Sequence, residues 1–260
     1  MTCKRHERVS RDEEARFYDD RAQRESRKDS FLQTWLKNLA PYLPSAVDQI
    51  LEALGDVRDR HICEIGCGSG ILTLALLQKG ALVTASDISL SEVKMAWKRN
   101  ERYRKDRVSF HLMDAANLAF RDESFDFVVG ISILHHVDLD QAAREIRRIL
   151  KPGGHAIFTE PLAHNPLANL WRKMTPGLRS KNEWPLRYRE IRRFASHFRS
   201  FHSREFACIT LLSSLVYLVT LSKTCKDKAG ARLARWEKTA LKSLPFLRRF
   251  SGLVLLEFMK

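Results

Sequence analysis

Residues 64–70 read Glu-Ile-Gly-Cys-Gly-Ser-Gly. Glycines at alternate positions let a backbone turn tightly and approach a bound molecule with no Cβ in the way. A helix leaving such a loop offers free N–H groups and a partial positive charge. The spacing is GxGxG, not the GxGxxG of dinucleotide sites, and Glu64 stands where a carboxylate would face a cationic ligand. Further along, residues 130–137 read Gly-Ile-Ser-Ile-Leu-His-His-Val. They place a hydroxyl (Ser132) and two imidazoles beside each other, and an imidazole is suited to take a proton near neutral pH. A third group, Glu160, His164 and Asn165, follows another apolar run and is expected on the acceptor side. His61, Cys63 and Cys67 could be drawn as a metal cluster, but the spacing is wrong for zinc and Cys63 falls in an apparent buried strand. No metal site is expected.

These groups sit at the ends of apolar runs, so strands must position them. Strands are expected at 61–65, 82–86, 108–112, 125–131 and 155–160, with helices at 72–78, 89–102 and 139–150. Ser89 or Ser91 is a fitting N-cap for the second of these helices, with Glu92 in its first turn. Residues 151–154, Lys-Pro-Gly-Gly, read as a turn. Strands alternating with helices at this spacing imply βαβ crossovers and a mainly parallel sheet. Ligands then bind at the carboxyl ends of the strands, near the switch in strand order. Before this core, helices are expected over 10–29, 31–40 and 46–54; the first is an exposed helix with one small apolar contact at Phe17 and Tyr18. After it come a basic helix at 188–198, a strand at 201–211, helical sequence from 213 to 244 and a last strand at 253–258.

Charge divides the chain unevenly. The 260 residues carry a formal net charge of +14. Residues 1–170 hold 25 basic and 25 acidic side chains, whereas residues 171–260 hold 20 and 6. The basic last third points to an anionic partner: an acidic substrate, a membrane surface or nucleic acid. An odd number of cysteines (Cys3, Cys63, Cys67, Cys208 and Cys225), without a CxxC pair, indicates reduced thiols and a cytoplasmic setting. The charged N-terminus has no apolar signal-like run. The longest uncharged stretch, 206–222, falls short of a bilayer span.

In order and spacing, residues 62–161 resemble the class I S-adenosylmethionine methyltransferases, specifically the small-molecule group called type 11. The resemblance implies that Glu64, Gly66, Cys67, Gly68 and Gly70 cradle the amino acid moiety of S-adenosylmethionine. It implies that Asp87, with Ile88 beside it, holds the ribose, and that Asp114 and Ala115 flank the adenine. Gly130 lies in the matching fourth strand, and Ser132 and His135 come nearest the methyl group, with His135 as a base where the acceptor must lose a proton. Tyr18 lies in a Phe-Tyr-Asp-Asp stretch resembling the segment that covers the cofactor. A nicotinamide dehydrogenase would share the glycine loop and Asp87 but leaves the Asp114 region and residues 150–154 unexplained.

The expected fold is therefore α/β: a Rossmann-like, seven-stranded, mostly parallel sheet, with an N-terminal helical cap (1–55), a cofactor core (56–161) and a basic, substrate-shaping region that completes the sheet (162–260). The expected function is methyl transfer to an O, N or C atom of a small-molecule or lipid-like acceptor, with peripheral membrane contact through the basic region as one option. The chain has no Asn/Asp-Pro-Pro-aromatic motif, no Pro-Cys nucleophile and no double-Glu loop, which argues against amine-methylating nucleic-acid enzymes, cytosine C5 chemistry and arginine methylation. An RNA methyltransferase and a non-catalytic cofactor-binding regulator or scaffold are the alternatives.

Overall fold

The computed structural model of the chain describes residues 10–26, 42–103, 106–174, 184–208 and 223–260. Seven strands form one sheet: β1 (His61–Ile65), β2 (Leu82–Asp87), β3 (Val108–Leu112), β4 (Phe125–Ile131), β5 (Leu150–Pro161), β6 (Ser200–Phe206) and β7 (Leu253–Met259). Their order is β3-β2-β1-β4-β5-β7-β6. The first five are parallel, and β7 runs antiparallel between β5 and β6. The expected Rossmann-like α/β sheet is thus the one observed. The helices are α1 (Arg11–Ser26), α2 (Tyr42–Leu54), α3 (Ile71–Gln78), α4 (Leu90–Arg99), α5 (Leu139–Ile149), α6 (Pro166–Met174), α7 (Tyr188–Ala195) and α8 (Lys223–Ser243). The helix expected over 31–40 and the first part of the helical sequence from 213 lie outside the described residues.

Strand periodicity explains the two-sided core. Successive side chains point to opposite faces. Cys63, Ile65, Val128, Ala156, Phe158, Leu256 and Phe258 meet α5 and α7 through Ile146, Ile149, Ile191 and Phe194 on one face. Their neighbours Ile62, Val129, Ile157 and Leu255 meet α2 and α3 through Ile50, Leu54, Leu72 and Leu76 on the other. Both faces are covered, as a parallel sheet requires. Glu64, in phase with Ile62, is thereby directed beneath α3.

Strand order reverses between β1 and β4, since β1 pairs with both β2 and β4. A crevice opens at the carboxyl ends of the strands at such a point, and the glycine loop and residues 132–136 flank it. Ser89 is the N-cap of α4, its Oγ accepting from Glu92 N. Some boundaries differ from expectation. Residues 151–154 are not a separate turn, because β5 begins at Leu150, which pairs with Phe125 before a register shift, and Gly153 (φ 73°) absorbs the bulge. The strand expected over 201–211 spans Ser200–Phe206.

Candidate functional site

Three glycines in left-handed conformations build the loop after β1: Gly66 (φ 65°), Gly68 (φ 49°) and Gly70 (φ 75°). They do different work. A Cβ on Gly66 would lie 2.8 Å from the Ile133 side chain, and one on Gly70 would lie 2.7 Å from Asn100 Nδ2 and 2.9 Å from Ala96. Those two are glycine because protein packs against them. A Cβ on Gly68 would meet nothing nearer than Glu92 Oε2 at 3.9 Å, so the space beside Gly68 is the open cradle. Gly130 also serves packing, with Ile133 and the Ile65 carbonyl closing on it. We expect Gly66→Ala to cost about 2–4 kcal/mol, from left-handed strain plus overpacking. Gly68→Ala should cost only about 1–2 kcal/mol while weakening ligand binding. Thermal melts beside ligand titrations would check the contrast.

Carboxylates converge on this cradle. Asp87, at the end of β2, accepts from Gly68 N (2.8 Å) and Ser89 N (3.0 Å) and so ties the loop to the next strand. Burial raises its pKa, opposed by those N–H groups. Glu64 is buried and accepts from Thr73 Oγ1 at 2.5 Å. Burial pushes its pKa up to about 8, with Asp87 adding to the rise and Thr73 opposing it. Glu92, in the first turn of α4, is buried beside the same loop. A pyrophosphate would meet repulsion here, whereas a nucleoside carrying a sulfonium and an ammonium would supply the missing positive charge. The residues present therefore fit S-adenosylmethionine. Cys67 is buried in the loop, its thiol pKa raised by burial and then by the nearby acids. Ile88 is half-buried beside Asp87.

The end of β4 holds a second constellation. Ser132 is exposed and left-handed (φ 55°), a strained conformation for a residue with a side chain, and its N–H donates to Thr159 O at 2.8 Å. Glu160 is fully buried. One of its oxygens accepts from Ile133 N and Leu134 N, both at 2.8 Å, and the other lies 2.7 Å from His135 Nδ1. Burial drives His135 down to about 3, with Arg172 adding to the fall and Glu14 opposing it. Burial likewise lifts Glu160 to about 7. Both directions favour a neutral imidazole over an ion pair.

Above this edge lies α1, which is more than an exposed helix with one apolar contact. His136 sits 2.9 Å from Glu14 and 3.1 Å from Tyr18 Oη. Asp19 accepts from Ser89 Oγ (2.6 Å) and Ser91 N (2.9 Å), at the N-terminus of α4. Arg11 pairs with Asp114 at 2.8 Å, while Asp114 also accepts from Ala116 N. One helix thus contacts residues following β2, β3 and β4. Reading the sequence alone missed Arg11, Glu14 and Asp19.

Of the sequence-predicted residues, the structure gathers Tyr18, Glu64, Gly68, Asp87, Asp114, Ser132 and His135 around the carboxyl edge. Ala115 turns its side chain into the core. Glu160 and Asn165, expected on the acceptor side, are both buried. Glu160 is enclosed by backbone and His135, and Asn165 accepts from Ala168 N and donates to the Phe250 carbonyl, fastening the start of α6. His164 is exposed and stacks on Tyr188 with ring centroids 5.3 Å apart. No cluster of three His, Cys, Asp or Glu suited to a metal occurs among the described residues.

Residues 63–158 match the family described as "Methyltransferase domain". The chain is 32% identical over 133 residues to methyltransferase GfsG of Streptomyces halstedii, covering 50% of this chain and 48% of that protein. It is 33% identical over 130 residues to the ubiquinone biosynthesis O-methyltransferase of Alkalilimnicola ehrlichii, covering 49% and 52%. The match thus spans about half the length of these relatives. In fold, the chain is similar to the magnesium protoporphyrin IX methyltransferase of Synechocystis solved with bound SAH: TM-score 0.59, 18% identity, covering 96% of this chain and 100% of that one. The strand order, the glycine loop with its carboxylates and these likenesses agree: residues 63–158 match a methyltransferase domain, and together they support a class I S-adenosylmethionine-dependent methyltransferase.

Proposed function

We propose that this chain transfers a methyl group from S-adenosylmethionine to a hydroxyl oxygen of a small, lipid-like acceptor. When bound, the cofactor supplies an activated methyl on a sulfonium. Glu64 and Asp87 would hold its cationic and ribose portions, with Asp114 and the Ala115 backbone on the adenine side and Gly68 leaving room for it. Alignment and exclusion of water supply much of the catalysis in such a displacement. In this reading residues 1–55 cover the cofactor, 56–161 hold it and 162–260 shape the acceptor side.

The observation that carries the reading is the buried His135–Glu160 pair. An amine that is already neutral needs no base, whereas a hydroxyl must lose a proton. With Nδ1–H donating to Glu160, the lone pair of His135 lies on Nε2, which is where a base must carry it. Glu160 is then a positioning residue, and Ser132 orients the acceptor hydroxyl. The match to relatives named for ubiquinone O-methylation supports an oxygen acceptor on a lipid-like ring.

The test offers the protein S-adenosylmethionine with alkyl-substituted phenols or with ethanolamine-type amines, and detects the methylated product by mass spectrometry. Turnover of the phenols, strongly reduced in His135→Asn, is expected. Turnover of the amines alone, indifferent to that substitution, would overturn the oxygen assignment.

A further inference from the structure

α8 has a polarised surface. Glu237, the one acid among its described side chains, turns inward and accepts from Ala207 N at 2.6 Å. Leu241 is buried beside it. The opposite face exposes Lys228, Arg232, Arg235 and Lys242 around Trp236, whose exposure is 77%. Just beyond the helix, Leu244 and Phe246 are 47% and 58% exposed. Exposed Trp, Phe and Leu within a field of one charge are not an ordinary solvated helix face.

The sheet fixes the edge at which the segment carrying this helix begins and ends. β7 is antiparallel, and its first residue, Leu253, pairs with Pro161 at the end of β5 and with Phe206 at the end of β6. The segment joining β6 to β7 therefore leaves and re-enters at the carboxyl edge, the edge that holds the glycine loop and the His135–Glu160 pair.

We propose that the outer face of α8, with Leu244 and Phe246, seats on an anionic lipid bilayer. Basic side chains meet the anionic headgroups, Trp236 lies at headgroup depth, and Leu244 and Phe246 enter the acyl boundary. Nucleic acid would use the cations and the aromatic rings, but an exposed leucine offers it nothing to stack on. Among the described residues no helix is long and apolar enough to cross a membrane. That the bilayer also delivers the acceptor rests on the function proposed above; seating itself does not, because it is read without cofactor or turnover.

The test is flotation of the full chain with phosphatidylcholine vesicles, with and without phosphatidylglycerol, at low and high salt. Cosedimentation with single-stranded RNA is measured in parallel. The chain should float with the phosphatidylglycerol vesicles and be released by salt. Arg232→Gln and Arg235→Gln should each weaken partitioning roughly fivefold, and Trp236→Ala roughly tenfold, with thermal melts unchanged because these side chains are exposed. Tryptophan emission should shift to the blue on vesicle addition, and Trp236→Phe should remove much of that shift. No flotation with anionic vesicles, flotation insensitive to all three substitutions, or tighter retention on RNA than on vesicles would each overturn the proposal.

Discussion

Glu160→Gln should lower kcat by roughly 10²–10⁴-fold, about as much as His135→Asn, although Glu160 is fully buried behind His135. The reason is a tautomer. Two backbone N–H groups, from Ile133 and Leu134, point at one oxygen of residue 160. In the glutamine variant that position must be the amide oxygen, which turns the amide NH₂ toward His135 Nδ1. The ring then accepts at Nδ1 and carries its proton on Nε2, where a base cannot carry it. The fold should survive, because the shape is kept. The double variant should be little worse than either single one, since both remove the same unit.

The pH profile separates this role from a purely structural one. Burial raises Glu160 to about 7 and lowers His135 to about 3, so the buried pair holds one proton above neutrality and gains a second as pH falls through about 7. Whichever group takes it, Nε2 is no longer free. The rate should therefore rise with pH through about 7 and level off above it. Glu160→Gln should lose that limb as well as the rate. An unchanged limb in the glutamine variant would remove Glu160 from the mechanism.

Glu64→Gln should abolish a pH dependence of cofactor affinity and make the ligand-free protein more stable at alkaline pH. The folded-state pKa of Glu64 is raised from 4.5 to about 8, first by burial and then by Asp87. Between those values the folded chain binds more protons at this site than the unfolded chain, so stability falls as pH rises through that window. With Glu64 ionised, the cost is on the order of 5 kcal/mol at about 1.4 kcal/mol per unit. Glutamine keeps an acceptor for Thr73 and carries no charge, so it removes the slope. A bound cation reverses the sign, because it favours the ionised carboxyl. Cofactor affinity should therefore climb with pH by up to about tenfold per unit below 8, with proton release visible as a buffer-dependent binding enthalpy. In Glu64→Gln the affinity should be flat and, above pH 8, roughly ten- to a hundredfold weaker.

The sheet was legible because its strands are continuous apolar runs closed by glycines or acids, a pattern set by burial on both faces. Glu64, Asp87 and Asp114 were legible as acids at strand ends. The role of α1 was not. Its inward stripe is Arg11, Glu14, Tyr18 and Ala22, at helical spacing but mostly polar, so hydropathy does not mark it. Only a search for polar residues at i, i+3 and i+7 would have found it. Glu160 was placed correctly at a strand end, yet its neighbour His135 lies 25 residues earlier and nothing local joins the two. Asn165 carried a readable signal that the acceptor reading passed over. Asn followed by Pro166 is a helix-start pattern, cap then first-turn proline, and that is the role it has.

We propose that the carboxylates around Gly68 hold S-adenosylmethionine. Calorimetric titration of the wild-type chain and of Asp87→Ala with S-adenosylmethionine, S-adenosylhomocysteine and NADH tests it most directly, with a thermal melt to confirm that the variant folds. Saturable binding of both sulfur nucleosides, none of NADH, and a loss of roughly a hundredfold in the variant is the predicted result. Absence of binding by either sulfur nucleoside, or a preference for NADH, would contradict it.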